Sequence, residues 1–412
     1  MCAVSYLSKI EQVKADADPA HSWRSCSSGR APAGNPTSEP DAPDEGYDFI
    51  PMWVADMNFA TCPAVTDAII ERVKHPLFGY YRPRPEYFDS IIRWQTERHG
   101  YKDLKREYIA YENGVHGCIV SCVNVLSRPG DPIFVHRPTY IGFNADIQGQ
   151  GRVPVYSDLV KDENGVYRMD YEDMDRKLRE NHVHLAIFCS PHNPAGRVWE
   201  RWELEKAMEV FERNECFVIS DEIWSDICYK GHPHTPTVMV NGWSREHAVS
   251  IYALSKTFNL AAMCGSYHVI YSDYLRDRIS AYSARTAYNE QNVLTMHALL
   301  GAYSPAGYEW VDELNTVLEE NARIMHEAIT SIDGVEATMP EGTYMMFVDL
   351  TGYCERTGRT HDEVLKAGWK YGVGWQDGNA FGGTCHLRLN LASPTARIKE
   401  ACRRIKELVL IG

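Results

Sequence analysis

The chain of 412 residues lacks the features that would take it out of the class of ordinary globular proteins. No stretch approaches the roughly 18 consecutive apolar residues of a membrane-spanning helix, so we expect no contact with a membrane. A formal net charge of −14 does not suit a surface that neutralises phosphates, so we expect no nucleic-acid partner. The 44% hydrophobic and 24% charged residues exclude wholesale disorder.

The twelve cysteines are scattered and include no Cys-x-x-Cys pair. Cys118, Cys122 and Cys189 stand in apolar runs, where a thiol behaves as a small hydrophobic group. The first nine residues contain no apolar core of signal-peptide length. We therefore expect a cytoplasmic protein in a reducing compartment, without a framework of disulfides.

Motifs for two common chemistries are also missing, because the sequence has neither Gly-x-x-x-x-Gly-Lys-Ser/Thr nor Gly-x-Ser-x-Gly. The His-x-His pairs at residues 182/184 and 232/234 have a spacing that can bind a metal on a strand. Neither pair is part of a known pattern of metal-ligand spacing, so we expect no metal site.

From residue 49 onward, short apolar runs alternate with amphipathic stretches. Runs such as 185–189 and 217–219 do not alternate strictly, which is typical of strands buried on both faces of a parallel sheet. Residues 119–126 follow the i, i+3, i+4, i+7 pattern of a half-buried helix. The alternation predicts an α/β fold, with a three-layer large domain and a mostly parallel sheet at residues 51–300.

Two further regions flank this predicted domain. Residues 301–412 combine a long helical pattern with a cleanly alternating strand at 386–391, and we expect a smaller α+β domain there. Residues 1–50 include a polar stretch rich in Pro, Ser, Gly and Asp. We interpret residues 1–50 as an N-terminal arm and loop that packs with the small domain.

Two ionisable residues follow buried strands directly, where ligands of an open parallel sheet bind. Asp221 follows the run 217–219, and a carboxylate there is costly unless a cation pairs with it. Lys256 follows the run 249–254, where loss of water would favour the neutral amine that attacks carbonyl groups. Taken singly, a solvated lysine and a helix-capping aspartate are the ordinary alternatives.

Other strand ends carry residues that suit a phosphorylated ring. The turn Gly114-Val115-His116 offers backbone N–H groups at a helix start, which can bind a phosphate, although a glycine at such a turn more often serves the turn alone. Tyr140 and Asn193 follow the next two strands, although a packed tyrosine and a turn-forming asparagine are simpler readings of each. Together these residues fall in the order that a pyridoxal 5'-phosphate site needs.

At this point the sequence resembles the fold-type I pyridoxal-phosphate enzymes of the aspartate aminotransferase superfamily, class I/II. Within that superfamily it is most similar to the MalY/PatB branch of cystathionine β-lyases, also called carbon–sulfur lyases. The resembling segments lie between about residue 48 and residue 395, namely 51–59, 78–80, 190–196, 220–223, 255–259 and 387–390.

The resemblance implies roles at the cofactor ring. Lys256 would form the internal aldimine and later move the proton between Cα and C4′. Asp221 would pair with the pyridinium nitrogen, Asn193 would bind the 3′-oxygen, and Tyr140 would stack on the ring.

The resemblance also implies a phosphate site and a substrate site. Backbone groups of Gly114, Val115 and His116 and the Ser255 hydroxyl would hold the phosphate. Tyr80 would reach the phosphate of a neighbouring subunit, which implies a homodimer with shared active sites.

For the amino-acid substrate, Arg388 would bind the α-carboxylate in bidentate fashion, with Asn193, Trp53 and Tyr344 lining the pocket. Arg388 alternates with two leucines, so we expect it to point away from the core of the small domain.

Three positions depart from the family pattern. Ala253 stands where many relatives have a serine, and Cys264 stands where many aminotransferases have an arginine, an absence that the β-lyase branch commonly shares. Trp224 replaces the usual Tyr or His and can donate a hydrogen bond but not accept one. Two missing phosphate ligands are a reason to expect weaker retention of the cofactor.

The resemblance implies β-elimination from L-cystathionine or another S-substituted cysteine through a quinonoid, giving a thiol, pyruvate and ammonia. Two alternatives stay open from the sequence. One is an aminotransferase that acts on an L-amino acid and a 2-oxo acid, and the other is a regulatory protein that binds the cofactor and acts through protein contacts.

Overall fold

The computed structural model of the protein describes residues 40–411. Most of the predicted N-terminal arm, residues 1–50, therefore lies outside the described residues. The strands are, in chain order, β1 (Ile50–Met52), β2 (Ile109–Glu112), β3 (Pro132–Arg137), β4 (Val153–Asp158), β5 (Val160–Lys161), β6 (Tyr167–Arg168), β7 (Leu185–Cys189), β8 (Phe217–Asp221), β9 (Ala248–Ala253), β10 (Ser266–Val269), β11 (Glu336–Ala337), β12 (Met345–Asp349), β13 (Val373–Asp377) and β14 (His386–Asn390).

The α-helices alternate with these strands through most of the chain. They are α1 (Pro63–Val73), α2 (Pro85–His99), α3 (Gly114–Leu126), α4 (Ile141–Gly149), α5 (Tyr171–Glu180), α6 (Arg201–Arg213), α7 (Gly242–His247), α8 (Leu254–Thr257), α9 (Asp273–Thr286), α10 (Val293–Ala302), α11 (Pro305–Thr330), α12 (Thr351–Thr357), α13 (His361–Lys370) and α14 (Thr395–Arg404).

The chain divides into two compact units. The larger unit comprises Thr61–His192 and Arg197–Asp312. The smaller unit comprises Asn193–Gly196, the chain from Glu313 onward, and the described residues that precede Thr61.

The larger unit is organised by a seven-stranded sheet with the strand order β2-β10-β9-β8-β7-β3-β4. The pairs β4/β3, β3/β7, β7/β8 and β8/β9 are parallel, and β10 runs antiparallel to both of its neighbours. Strands β7 and β9 are buried along their whole length, as expected for strands covered on both faces.

The core of the larger unit joins this sheet to helices α3 and α9. Ile119, Cys122 and Val123 of α3 are fully buried against Ile187, Ile219 and Val249 of the strands. These are the apolar positions of the helical pattern in the sequence, so the same residues that define the helix attach it to the sheet. The start of α3 is thereby fixed at the carboxyl end of β2.

The smaller unit contains a five-stranded sheet with the order β1-β13-β14-β12-β11. The β1/β13 pair is parallel and the other pairs are antiparallel. The predicted α/β fold with a mostly parallel large sheet and a smaller α+β region is therefore confirmed. Among residues 40–411, no helix combines the length and the apolar composition needed to cross a bilayer.

The polar face of β14, which alternates with its apolar face, is buried in the structure. All five of its residues are buried, including His386, Arg388 and Asn390 on the polar side. The side-chain amide of Asn390 donates to the backbone carbonyls of Val54 and Asp56. The alternation therefore separates an apolar face from a buried face whose polar groups find hydrogen-bond partners.

Gly196 allows a close approach inside the smaller unit. Its φ is +68°, and an added Cβ would lie 2.6 Å from the Cβ of Pro340. Its carbonyl also accepts hydrogen bonds from the backbone N–H groups of Glu341 and Gly342. A side chain at this position would therefore meet both unfavourable backbone geometry and a steric clash.

We expect Gly196→Ala to lower the stability of the protein more than Gly358→Ala does. Gly358 belongs to the same unit and has a φ of +71°, but its surroundings are open to an added Cβ. The control should cost about 1–2 kcal/mol for the left-handed backbone. Gly196→Ala should cost at least about 1 kcal/mol more for the clash. Urea unfolding of the two variants measures the difference. Equal losses in the free energy of unfolding would contradict the clash.

Candidate active site

The predicted phosphate turn lies where β2 ends and α3 begins. Val115 is buried, whereas the His116 side chain is about half exposed. His116 Nδ1 is 2.7 Å from Asp146 Oδ2, and this hydrogen bond raises the pKa of His116 above its usual value although burial acts in the other direction. A protonated imidazole and the N-terminal N–H groups of a helix together attract an anion.

Tyr140 lies beside this turn, at the N-terminal end of α4. Its hydroxyl is 3.4 Å from His116 Nε2. Gly142 permits the arrangement, because an added Cβ there would lie 2.4 Å from the Tyr140 ring and 2.5 Å from the His116 ring. The aromatic ring and the imidazole therefore share one edge of the sheet with the start of α3.

Asp221 ends β8 in the middle of the sheet and is only 4% exposed. Burial raises the pKa of its carboxyl to about 6. The hydrogen bond that Oδ1 accepts from the Ile223 N–H and the charges of His116 and Lys256 act against this rise without cancelling it. The carboxylate is thus held in a place that favours a further cationic partner.

Glu222, the next residue, is buried completely, but its pKa is lowered, whereas that of Asp221 is raised. Its carboxylate accepts hydrogen bonds from His234 Nε2 at 2.9 Å, Ser250 Oγ at 2.7 Å and the Tyr252 hydroxyl. Burial alone would raise its pKa, but these donors lower the pKa below its usual value. Glu222 is therefore a satisfied structural carboxylate.

Asp226 is the third buried carboxylate of this segment and is also satisfied. It accepts hydrogen bonds from Trp94 Nε1, His99 Nε2 and Thr257 Oγ1 at 2.9, 2.8 and 3.0 Å. These interactions lower its pKa in spite of its burial. The Thr257 contact attaches the residue after Lys256 to the segment that follows Asp221.

The contrast among the three carboxylates singles out Asp221. Glu222 and Asp226 have their charge stabilised by donors within the larger unit, whereas burial prevails at Asp221. A cation with an N–H group that faces Asp221 would stabilise the charge of its carboxylate. The protonated pyridine nitrogen of pyridoxal phosphate has this chemistry, so the residues present fit the cofactor.

Lys256 belongs to the short helix α8, which follows β9 directly. Its Nζ lies 5.7 Å from the centroid of the Trp224 ring. Because its charge acts on both Asp221 and His116, the amine belongs to the same electrostatic group as these two residues. Ser255 precedes it and is partly buried.

In the smaller unit, Arg388 is held in a nearly fixed orientation. Its guanidinium donates to Asn193 Oδ1 at 3.2 Å, to the Trp53 carbonyl at 2.6 Å and to Gln376 Oε1. The group also lies 4.3 Å from the centroid of the Phe381 ring. The structure thus brings together three of the predicted substrate-binding residues: Asn193, Trp53 and Arg388.

Tyr344, the fourth predicted substrate-binding residue, is completely buried in the smaller unit. Its hydroxyl donates to the Ala55 carbonyl at 3.0 Å, and burial raises its pKa well above the usual value. This contact fixes the segment that contains Trp53.

Tyr80 is fully exposed on the larger unit. It lines a cavity of about 460 Å³, together with the cationic side chains Arg72, Arg82 and Arg84.

The sequence patterns did not predict the hydrogen-bonded residues that hold the segments carrying Asp221 and Lys256. His99, Thr257 and Asp226 form one connected group, and His234 with Glu222 forms another. The sequence pattern around His234 indicates only a His-x-His pair. The sequence does contain a signal for these residues, because two further acidic residues lie within five positions of Asp221. Carboxylates beside a buried strand end need hydrogen-bond donors nearby.

A profile of the family "Aminotransferase class I and II" matches residues 48–405. The chain is 34% identical to cystathionine beta-lyase PatB of Bacillus subtilis over 370 residues, which cover 87% of this chain and 92% of that protein.

Two crystal structures are also similar. A PLP-bound putative aminotransferase from Clostridium difficile is 32% identical, with a TM-score of 0.81 and coverage of 88% and 92% of the two chains. A PLP-bound C–S lyase from Staphylococcus hominis is 28% identical, with a TM-score of 0.80 and coverage of 89% and 94%.

Replacement of Asp221 tests the electrostatic argument in the cofactor-free protein. Because burial raises the folded-state pKa of this acid, its ionisation costs stability as the pH rises from about 4 to about 6. We expect Asp221→Asn to raise the free energy of unfolding by about 1–3 kcal/mol near pH 8 and to change it little near pH 4.

Asp226→Asn is the matched control and should have the opposite sign. The folded-state pKa of Asp226 is lowered, so its charge contributes stability at pH values above the usual aspartate range. We expect this variant to lose about 1–3 kcal/mol near pH 8. Urea unfolding at both pH values measures these changes, and destabilisation by Asp221→Asn near pH 8 would contradict the assignment.

Proposed function

The chain belongs to the aminotransferase class I and II family, and we propose on that basis that it is a pyridoxal-phosphate-dependent carbon–sulfur β-lyase. Its substrate would be L-cystathionine or another S-substituted cysteine, and its products a thiol, pyruvate and ammonia. The observation that carries the proposal is the buried Asp221 carboxylate, whose pKa of about 6 fits a cationic ring nitrogen. The similarity to PatB along 87% of the chain supports the choice of reaction.

Pyridoxal phosphate, when bound, supplies an aldehyde that condenses with amines and a ring that withdraws electrons from the substrate Cα. Lys256 is the residue that would carry the aldehyde and would take the proton from the substrate Cα. Asp221 would keep the ring nitrogen protonated, Asn193 would bind the ring oxygen, and Tyr140 would cover the ring face.

The phosphate would be held by the start of α3 and the end of β9. Backbone groups of Gly114, Val115 and His116 would donate to it, and the raised pKa of His116 favours a cation beside it. The Ser255 hydroxyl would add a further donor. Ala253 offers no hydroxyl, and the exposed Cys264 offers no cation, so retention of the phosphate would rest on fewer ligands.

Arg388 would orient the substrate through its α-carboxylate. Its contacts to Asn193, Trp53 and Gln376 support this role, because they fix the plane of the guanidinium group. Trp53 and Tyr344 would shape the pocket around the substrate side chain.

We also propose that the active form is a homodimer. The segment before Tyr80 exposes large apolar side chains, namely Ile70, Val73, Leu77 and Phe78, which a second copy would cover. A cytoplasmic location is part of the proposal as well, supported by the ten described cysteines, which form no disulfide among the described residues.

Incubation with L-cystathionine tests the reaction. We expect equal amounts of pyruvate and free thiol, and Lys256→Ala should lower this rate by about 10²–10⁴-fold or more because it removes the group that transfers the proton. Borohydride treatment of the wild-type holoenzyme should attach the cofactor to Lys256, as read by peptide mass mapping. Lys206→Ala, which changes an exposed lysine of α6, is the control for both measurements.

Other outcomes would identify the alternatives. Formation of pyridoxamine phosphate with an amino acid, reversed by 2-oxoglutarate and without pyruvate, would indicate an aminotransferase. No turnover of any amino acid by a protein that carries the cofactor on Lys256 would favour a regulatory role. A borohydride-treated protein without label at Lys256 would contradict the whole assignment.

Removal of the Tyr80 hydroxyl tests the shared site. Sedimentation should give a particle of twice 46.9 kDa for the wild type and for Tyr80→Phe. The variant should bind pyridoxal phosphate about 10-fold or more weakly, since a hydrogen bond to a charged group is lost. Tyr274→Phe, at another exposed tyrosine, is the control. A monomeric wild type, or unchanged cofactor binding by Tyr80→Phe, would contradict the shared site.

A further inference from the structure

Two thiols of the smaller unit lie in contact although they are 31 positions apart in the chain. Cys354 belongs to α12, Cys385 immediately precedes β14, and their Sγ atoms are 3.4 Å apart. Both side chains are partly exposed. They differ in this respect from Cys118 and Cys122, which are fully buried in the core of the larger unit. Reagents in water can therefore reach the Cys354–Cys385 pair.

The backbone of the smaller sheet holds the two thiols together. Strand β12 pairs with β14 in the register Asp349–His386, so the start of α12 lies beside the start of β14. The Leu350 N–H donates to the Cys385 carbonyl at 2.9 Å. Because these contacts belong to the sheet itself, the approach of the two sulfur atoms does not depend on a long flexible loop.

Cys385 adopts a backbone conformation that most residues avoid. Its φ is +64°, in the left-handed region. Such a conformation costs a non-glycine residue roughly 1 kcal/mol or more and persists only where the surrounding structure enforces it. The position therefore carries a strained cysteine where a glycine would be easier to accommodate.

The two thiols are chemically different. The Cys385 S–H donates to Cys354 Sγ, which places the acceptor sulfur on Cys354. Burial, followed by the interaction with Cys354, raises the pKa of Cys385 to about 12. A thiol with a raised pKa is a poor first nucleophile, so Cys385 is suited to react second, from within contact distance of Cys354.

We propose that Cys354 and Cys385 form a thiol–disulfide exchange site that takes low-molecular-weight disulfides as its oxidant. The Cys354 thiolate attacks one sulfur of the disulfide RSSR, forms a mixed disulfide and releases RS⁻. The Cys385 sulfur then attacks Cys354 Sγ, its proton passes to the solvent, and the second RS⁻ leaves. One RSSR and two protein thiols give one protein disulfide and two RSH, so atoms and electrons balance.

The geometry allows the final bond. A disulfide is about 2.05 Å long, so the sulfur atoms, which are already in contact, must approach by only about 1.4 Å. The bond would connect α12 to the start of the strand that carries Arg388. The exchange uses no residue of the proposed β-lyase chemistry and does not depend on it.

The test uses the reduced full-length holoenzyme treated with glutathione disulfide, followed by alkylation and peptide mass mapping. We expect loss of two thiols per chain and a single linked pair of peptides containing Cys354 and Cys385. Dithiothreitol should restore both thiols. Cys264→Ser, which removes an exposed thiol outside the pair, should leave the linkage unchanged.

Two variants separate the steps. Cys385→Ser should stop at a glutathione adduct on Cys354, whereas Cys354→Ser should slow modification of Cys385 by about 10-fold or more, because the first nucleophile is missing. Thermal unfolding under reducing conditions checks that both variants are folded. If either is not, the wild-type peptide map alone decides the outcome.

The proposal would be overturned if wild-type Cys354 and Cys385 remained alkylated as free thiols while Cys264 acquired glutathione. It would also be overturned by a wild-type adduct on Cys354 that never resolves to the internal disulfide. Neither result would bear on pyruvate release, so this inference and the proposed reaction fail independently.

Discussion

The desolvated carboxylate of Asp221 is the constraint around which the larger unit is organised. A carboxyl group at the end of a fully covered strand loses its water, and its charge then has to be stabilised from within the site. Hydrogen-bond donors of the protein lower the pKa values of Glu222 and Asp226, whereas at Asp221 the effect of burial is larger and the pKa is raised. The folded protein therefore stores an unfavourable interaction that a cationic ring nitrogen would relieve, which couples cofactor binding to stability.

The two satisfied carboxylates explain how the sheet tolerates this arrangement. Glu222 connects β8 to Ser250 and Tyr252 of β9, and Asp226 connects the segment after β8 to Thr257. It is costly to break the hydrogen bonds that a buried carboxylate accepts. The ends of β8 and β9 therefore stay in register. Asp221 ends β8 and Lys256 closely follows β9, so the hydrogen bonds of Glu222 and Asp226 also position these two residues.

Local sequence patterns were sufficient to predict several of the strands and the polar residues at or just after their ends. The buried runs at 185–189 and 217–219 lie in β7 and β8. Asp221 ends β8, and Lys256 lies in α8, which follows β9 directly, as the parallel-sheet rule requires. The partners of these residues could not be predicted in this way. Asp226 and His99 are 127 positions apart, so their hydrogen bond depends on tertiary packing that no local pattern contains. The assignment of Asn193 to the smaller unit, beside Arg388, is of the same kind.

Trp224 shows how a departure from the family pattern can be absorbed by this framework. Its indole can donate but not accept, so it cannot replace both hydrogen-bonding functions of a histidine or a tyrosine. It is 2% exposed and lies between Glu222 and Asp226, whose donors fix the backbone on both sides of it. The ring faces the Lys256 amine at 5.7 Å, a distance at which an aromatic face attracts an ammonium group. The aromatic surface therefore contributes to positioning the amine through this attraction.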